Sequence, residues 1–180
     1  MGRTVPTHGS AVGENEVNRR AAETPRVDGL TGKIIGACIE IHRALGPGLL
    51  ESAYEECLCR ELTLSGVSFE RQKSLPVLYK GMKLDCGYRL DVVVESSIVC
   101  ELKAVEILLP VHKAQVLTYL KLSGCTLGLL INFSVSVLKN GLQRIVNNFD
   151  DTGSDYGRRF LRSSHPPSLR VSAVKFFPGE

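Results

Sequence analysis

The sequence predicts an α/β domain, a β-sheet core flanked by helices, and two observations carry that prediction. Apolar residues recur at helical spacing over residues 30–64, then at every second residue over 67–102, then at helical spacing again after Pro110. A short, nearly all-apolar run, Leu127–Asn132, suits a strand buried on both faces. The resulting order is helix, helix, three strands, helix, strand, helix.

Residues 1–28 have no apolar period and contain Pro6 and Pro25, so a disordered tail is expected. The opening Met-Gly resembles a myristoylation signal, but Pro6 stands where Ser or Thr is needed. A first helix is expected over 30–45, with Ile34, Cys38, Ile41 and Leu45 inward, and Ile35, Ile39 and His42 widening the stripe. Thr31 or Asp28 can cap it. Gly46-Pro47-Gly48 must end it, since proline disfavours helical geometry in the residue before it. A second helix follows over 49–64, with Leu50, Ala53, Tyr54, Cys57, Leu58, Glu61 and Leu62 inward.

From Val67 the period is two. Strands are expected over 67–71, 75–79 and 83–86, with Lys80-Gly81 as a turn, and a hairpin continues the meander over 88–103. The third helix opens at Pro110 and closes at Gly124, with Val111, Ala114, Leu117, Thr118 and Leu122 as its stripe. His112, Gln115 and Tyr119 occupy an adjoining face. A last amphipathic helix is expected over 137–148, with Leu138, Leu142, Ile145, Val146 and Phe149 inward. One domain at 29–149 results, with a second disordered tail at 150–180, in which Val174, Phe176 and Phe177 are apolar enough to dock.

A chain of 180 residues with 43% hydrophobic residues and a mean hydropathy of +0.04 can bury a core, and no apolar run approaches a membrane span. The start lacks the apolar centre of a signal peptide, so a cytoplasmic location is expected. The six cysteines are scattered, not paired in metal knuckles, which favours reduced, buried thiols over a zinc site. A net charge of +3 is too small to establish or exclude a nucleic-acid partner. There is no internal repeat, glycine-rich phosphate loop or supported Ser-His-Asp arrangement. Glu40 and His42 are two apart and would not face each other on a helix, so His42 is expected to be structural.

The chemistry concentrates in residues 88–119. A loop of Glu95, Ser96 and Ser97 pairs Val94 with Ile98 and Val93 with Val99, then sets Asp91 opposite Glu101 and Arg89 opposite Lys103, all on one face. Two carboxylates facing each other between apolar strands repel. A hard divalent cation would reconcile them, with Lys103 beside it to act on a water or phosphate. A solvated polar face, with Arg89 and Lys103 balancing the two acids, is the alternative. Glu51 and Tyr54 are neighbours on the second helix; a glutamate near a helix start complements the macrodipole, and Tyr54 can serve packing alone.

The element order, with Asp91 on one strand and Glu101-Leu102-Lys103 on the next, resembles the PD-(D/E)xK nuclease superfamily, and Gln115-Val-Leu-Thr-Tyr119 resembles the QxxxY element of its RecB-like branch. Gly48-Leu-Leu-Glu51-Ser-Ala-Tyr54 is similar to the signature of the GxxExxY family, as are IHRALGPGLLESAYEECL, LPVLYKGMKLDCGYRLDVVVE, ELKAVEILLPVHKAQVLTYLKL and GLLINF. The resemblance covers residues 30–149. It implies a restriction-endonuclease-like mixed β-sheet flanked by helices and a Mg²⁺- or Mn²⁺-dependent nuclease acting on nucleic acid, DNA before RNA. Asp91 and Glu101 would hold the metal, with the Leu102 carbonyl a further ligand. Lys103 would orient or deprotonate the attacking water and contact the phosphate, Gln115 would help place that water, and Glu51 would bring a third carboxylate bonded to Tyr119 or Tyr54. Fold alone does not fix function. A silent nucleic-acid or protein binding module is the rival, and a subunit that pairs through Leu108 and Leu109, as in a homodimer, is a third.

Overall fold

The computed structural model describes residues 11–147. A long first helix, α1 (Ala11–Leu45), is followed by α2 (Glu51–Leu64) and three strands: β1 (Phe69–Tyr79), β2 (Met82–Val94) and β3 (Ile98–Lys103). Helix α3 (Pro110–Ser123) leads to β4 (Leu127–Asn132), and a 3₁₀ turn (Leu138–Gly141) to β5 (Leu142–Val146). The five strands form one sheet in the order β1-β2-β3-β4-β5. Only β3 and β4 run parallel, and α3 is the crossover that parallel pairing requires. The mixed sheet expected from the sequence is therefore present.

Each face of the sheet carries its own core. On one side α1 supplies Leu30, Ile34, Cys38 and Ile41, and α2 supplies Tyr54, Leu58 and Leu62, packed on Val92, Val94, Cys100, Leu129 and Ile131. On the other, Val116, Tyr119 and Leu120 of α3 pack on Val93, Val99 and Leu130. β4 is buried at all six positions because it has a helical layer on both sides.

Several details differ from the sequence expectations, and Leu45 and Leu50, expected to face inward, are exposed. Helix α1 starts at Ala11, well before Leu30, and Pro25 lies inside it. Arg19, Arg20, Ala21, Ala22 and Glu23 are strong helix formers even without an apolar period. The meander strands fuse into two long strands joined at Lys80-Gly81. The buried face of α3 is Val116, Tyr119, Leu120 and Ser123, while Val111 is exposed. The stripe ending at Leu122 follows hydrophobicity, but packing rotates the helix to bury the tyrosine.

The expected last helix is instead the 3₁₀ turn and edge strand β5. A helix there would leave one edge of the buried β4 with unpaired backbone groups, which antiparallel β5 satisfies. Gly141 makes the turn possible, because a Cβ there would lie 2.2 Å from the Asn132 carbonyl oxygen. Leu138 and Ile145 are buried as expected, whereas Val146 is exposed and Phe149 lies outside the described residues. The tail at 150–180 is likewise outside them.

Candidate active site

The β2–β3 hairpin turns through Glu95, Ser96 and Ser97 and pairs Val94 with Ile98, Val93 with Val99 and Val92 with Cys100, as the pattern predicts. The ladder stops there. Asp91 and Glu101 do not continue it, and Arg89 does not pair with Lys103. Instead the Asp91 carboxylate enters the gap between the strands, where Oδ2 accepts the Leu102 N–H at 2.8 Å. Asp91 and Glu101 are thereby joined through the backbone of Leu102, without the single shared face expected for six side chains.

The segment after Glu101 is held by its backbone from two further elements, α2 and the end of β4. Lys103 C=O accepts the Phe133 N–H at 2.8 Å. Ala104 N–H donates to Glu51 Oε1 at 3.0 Å. Val105 donates its N–H to Asn132 Oδ1 at 3.1 Å and accepts from Asn132 Nδ2 at 2.7 Å. Asn132 Oδ1 also accepts the Ser134 N–H at 3.2 Å. Asn132 is buried, at the end of β4, and no sequence pattern marks it beyond being the polar residue that closes an apolar run.

Glu101 is 2% exposed. Its Oε1 accepts from Lys103 Nζ at 2.7 Å, but its Oε2 is buried without a hydrogen-bond partner. Burial first, and then the charge of Asp91, push its carboxyl up to about 7 against the pull of Lys103. Burial also raises Asp91, opposed by the Leu102 N–H and by Lys103. For Lys103 burial acts downward, yet the hydrogen bond to Glu101 and the charges of Glu101, Glu51 and Asp91 leave it above its ordinary value. The lysine therefore stays an ammonium.

A buried carboxylate oxygen with no donor is costly. The hard oxygen donors of Asp91 and Glu101 suit Mg²⁺ or Mn²⁺, and the orphaned Oε2 is a ligand atom waiting for a partner, so the residues fit such an ion. Among the described residues no group of three or more His, Cys, Asp or Glu side chains is arranged to hold a metal. A cation here would rest on two carboxylates and complete its shell from main chain, water or phosphate.

Glu51 Oε1 accepts the Ala104 N–H, and Glu51 hydrogen-bonds neither Tyr54 nor Tyr119, while its charge acts on Asp91, Glu101 and Lys103. Tyr54 is fully buried, stacks on Phe133 with ring centroids 4.2 Å apart, donates to Gly46 C=O at 2.7 Å and accepts the Leu49 N–H at 3.1 Å. It thus secures the Gly46-Pro47-Gly48 turn, whose glycines have positive φ. On the opposite face Gln115 Nε2 donates to Tyr119 Oη at 2.6 Å. The Tyr119 hydroxyl, raised by burial, lies within electrostatic reach of Glu101, Asp91 and Lys103. His42 Nε2 meets Val135 C=O at 2.8 Å, a structural contact.

A family model of the PD-(D/E)XK nuclease superfamily matches residues 28–145, a span holding every residue of this constellation. The chain belongs to that superfamily. Nothing among curated proteins or solved structures matches it. PD-(D/E)XK nucleases typically use divalent metal ions, in keeping with the unsatisfied Glu101 oxygen. Among the described residues no helix is long and apolar enough to cross a membrane.

Proposed function

We propose that this PD-(D/E)XK domain, residues 29–149, is a Mg²⁺- or Mn²⁺-dependent nuclease that hydrolyses phosphodiester bonds of DNA. The observation that supports this most is the buried, partnerless Oε2 of Glu101 beside Asp91, with the Lys103 ammonium on the other carboxylate oxygen. Asp91 and Glu101 hold the cation, which when bound supplies Lewis-acid polarisation of the scissile phosphate and offsets its developing charge. Lys103, being protonated, acts as a donor that orients water and phosphate more than as a base. Glu51 and Asn132 keep the lysine-bearing backbone in register, and Gln115 with Tyr119 sets a hydroxyl at the edge of the acidic pair.

Placement in the GxxExxY family and the RecB-like branch is part of the same proposal, supported by Gly48, Glu51 and Tyr54 and by Gln115 and Tyr119. So are a cytoplasmic setting and a homodimer. Leu109, Ile107 and Val111 are exposed where two copies would meet, while Leu108 packs inward, and sedimentation at several concentrations tests that pairing.

Purified protein is expected to cleave double- or single-stranded DNA with Mg²⁺ or Mn²⁺ and to stop in EDTA. Asp91→Ala and Lys103→Ala should each lower the rate about a hundredfold or more with circular dichroism unchanged. Wild-type rates in both variants would sink the assignment. DNA binding that persists in EDTA without turnover would favour a silent binding module.

A further inference from the structure

The described residues include four non-glycine positions with positive φ: Lys80, Glu95 and Ser96 lie in hairpin turns, and Gln72, at 50°, lies inside β1. L-residues rarely adopt this conformation, and it persists where the surroundings hold it. The β1–β2 register runs from Arg71↔Val92 to Lys73↔Leu90, leaving Gln72 across from Asp91. Both strands change face at that rung. Phe69 packs in the α1–α2 core, but Leu75, of the same parity, packs against α3; on β2, Val92 and Leu90 divide in the same way.

What holds the rung is Glu55 of α2, 6% exposed. Its Oε1 accepts from Arg71 Nε, and its Oε2 accepts from Gln72 Nε2 at 2.7 Å. Arg71 also binds Glu56 at 2.6 Å. Consecutive residues of a regular strand point to opposite faces, so they cannot grasp one carboxylate. The left-handed Gln72 lets them do so.

A side chain of a regular strand also stands roughly perpendicular to the sheet and cannot take an N–H from the neighbouring strand. Asp91, at the irregular rung, does. We propose that Glu55 is a positioning residue: by binding Arg71 and Gln72 together it imposes the rung that turns the Asp91 carboxylate into the sheet plane, onto Leu102 and toward Glu101. The role toward a cation rests on the function proposed above; the role toward Leu102 does not.

The test uses the full chain and two readouts. Glu55→Leu should speed exchange of the Leu102 amide hydrogen in EDTA about tenfold or more, and weaken Mn²⁺ binding by calorimetry roughly tenfold or more, as loss of a supporting partner does at metal sites. Glu55→Leu with Gln72→Gly, which admits the left-handed backbone without strain, should regain most of both. If Glu55→Leu does not fold, Glu55→Gln carries the same comparison. A folded variant with wild-type Leu102 exchange overturns the proposal, as does a double variant that recovers nothing. If the wild type binds no Mn²⁺, the metal assignment fails while the amide readout still decides the rung.

Discussion

Glu101 is the residue at which burial and charge conflict most sharply. In the fold burial pushes its carboxyl up to about 7 from an ordinary 4.5. Between those values the folded chain keeps a proton that the unfolded chain has lost. Without metal, stability is therefore fully present below pH 4.5 and falls as pH rises toward and through 7, by on the order of 3 to 4 kcal/mol at about 1.4 kcal/mol per unit. Asp91, shifted the same way, adds to the slope. Urea unfolding in EDTA at pH 5 and pH 8 should show the decline, and Glu101→Gln should flatten most of it. Asp91, Glu101 and Lys103 could be singled out from the sequence because charges amid alternating apolar residues are conspicuous. Glu55 and Asn132 could not, because each acts on residues remote in the chain: Glu55 on Arg71 and Gln72, Asn132 on Val105.

At the scale of elements, the hairpin turn, the Pro110 helix start and the buried β4 were legible because local chemistry decides them: a loop of three residues, a proline at a first helical position, an unbroken apolar run. The segment after Val137 was not, since Leu138, Leu142 and Ile145 fit a helical period as well as they fit a turn and an edge strand. The deciding factor is the open edge of β4, which no local pattern reveals. Gly141 is the point to probe. Gly141→Ala would press a methyl against the Asn132 carbonyl, which is backbone and cannot move aside cheaply. It should cost about 1 to 3 kcal/mol in denaturant unfolding. Because Asn132 grips Val105, it should also weaken any Mn²⁺ affinity, an effect that an exposed control such as Lys139→Ala should lack.

For the whole molecule, the fold brings three chain segments to one short stretch of backbone, residues 101–105: β2 through Asp91, α2 through Glu51, and the end of β4 through Asn132 and Phe133. A cation bound by the native state alone stabilises it by RT ln(1 + [L]/Kd), about 2.7 kcal/mol at a hundred times Kd. Mn²⁺ should accordingly raise the melting temperature of the wild type and leave that of Asp91→Ala unmoved; equal shifts in both would place the ion elsewhere. The grip on Lys103 and Val105 also sets an order of assembly. The hairpin can close from neighbouring sequence, but the bonds from Phe133 and Asn132 exist only after α3 and β4 have been made and folded back. A chain still emerging from the ribosome, with its hairpin formed but β4 not yet delivered, carries the acidic pair and the lysine without their alignment. On this view the acidic pair and the lysine come into alignment only once the chain through Phe133 is free to fold back.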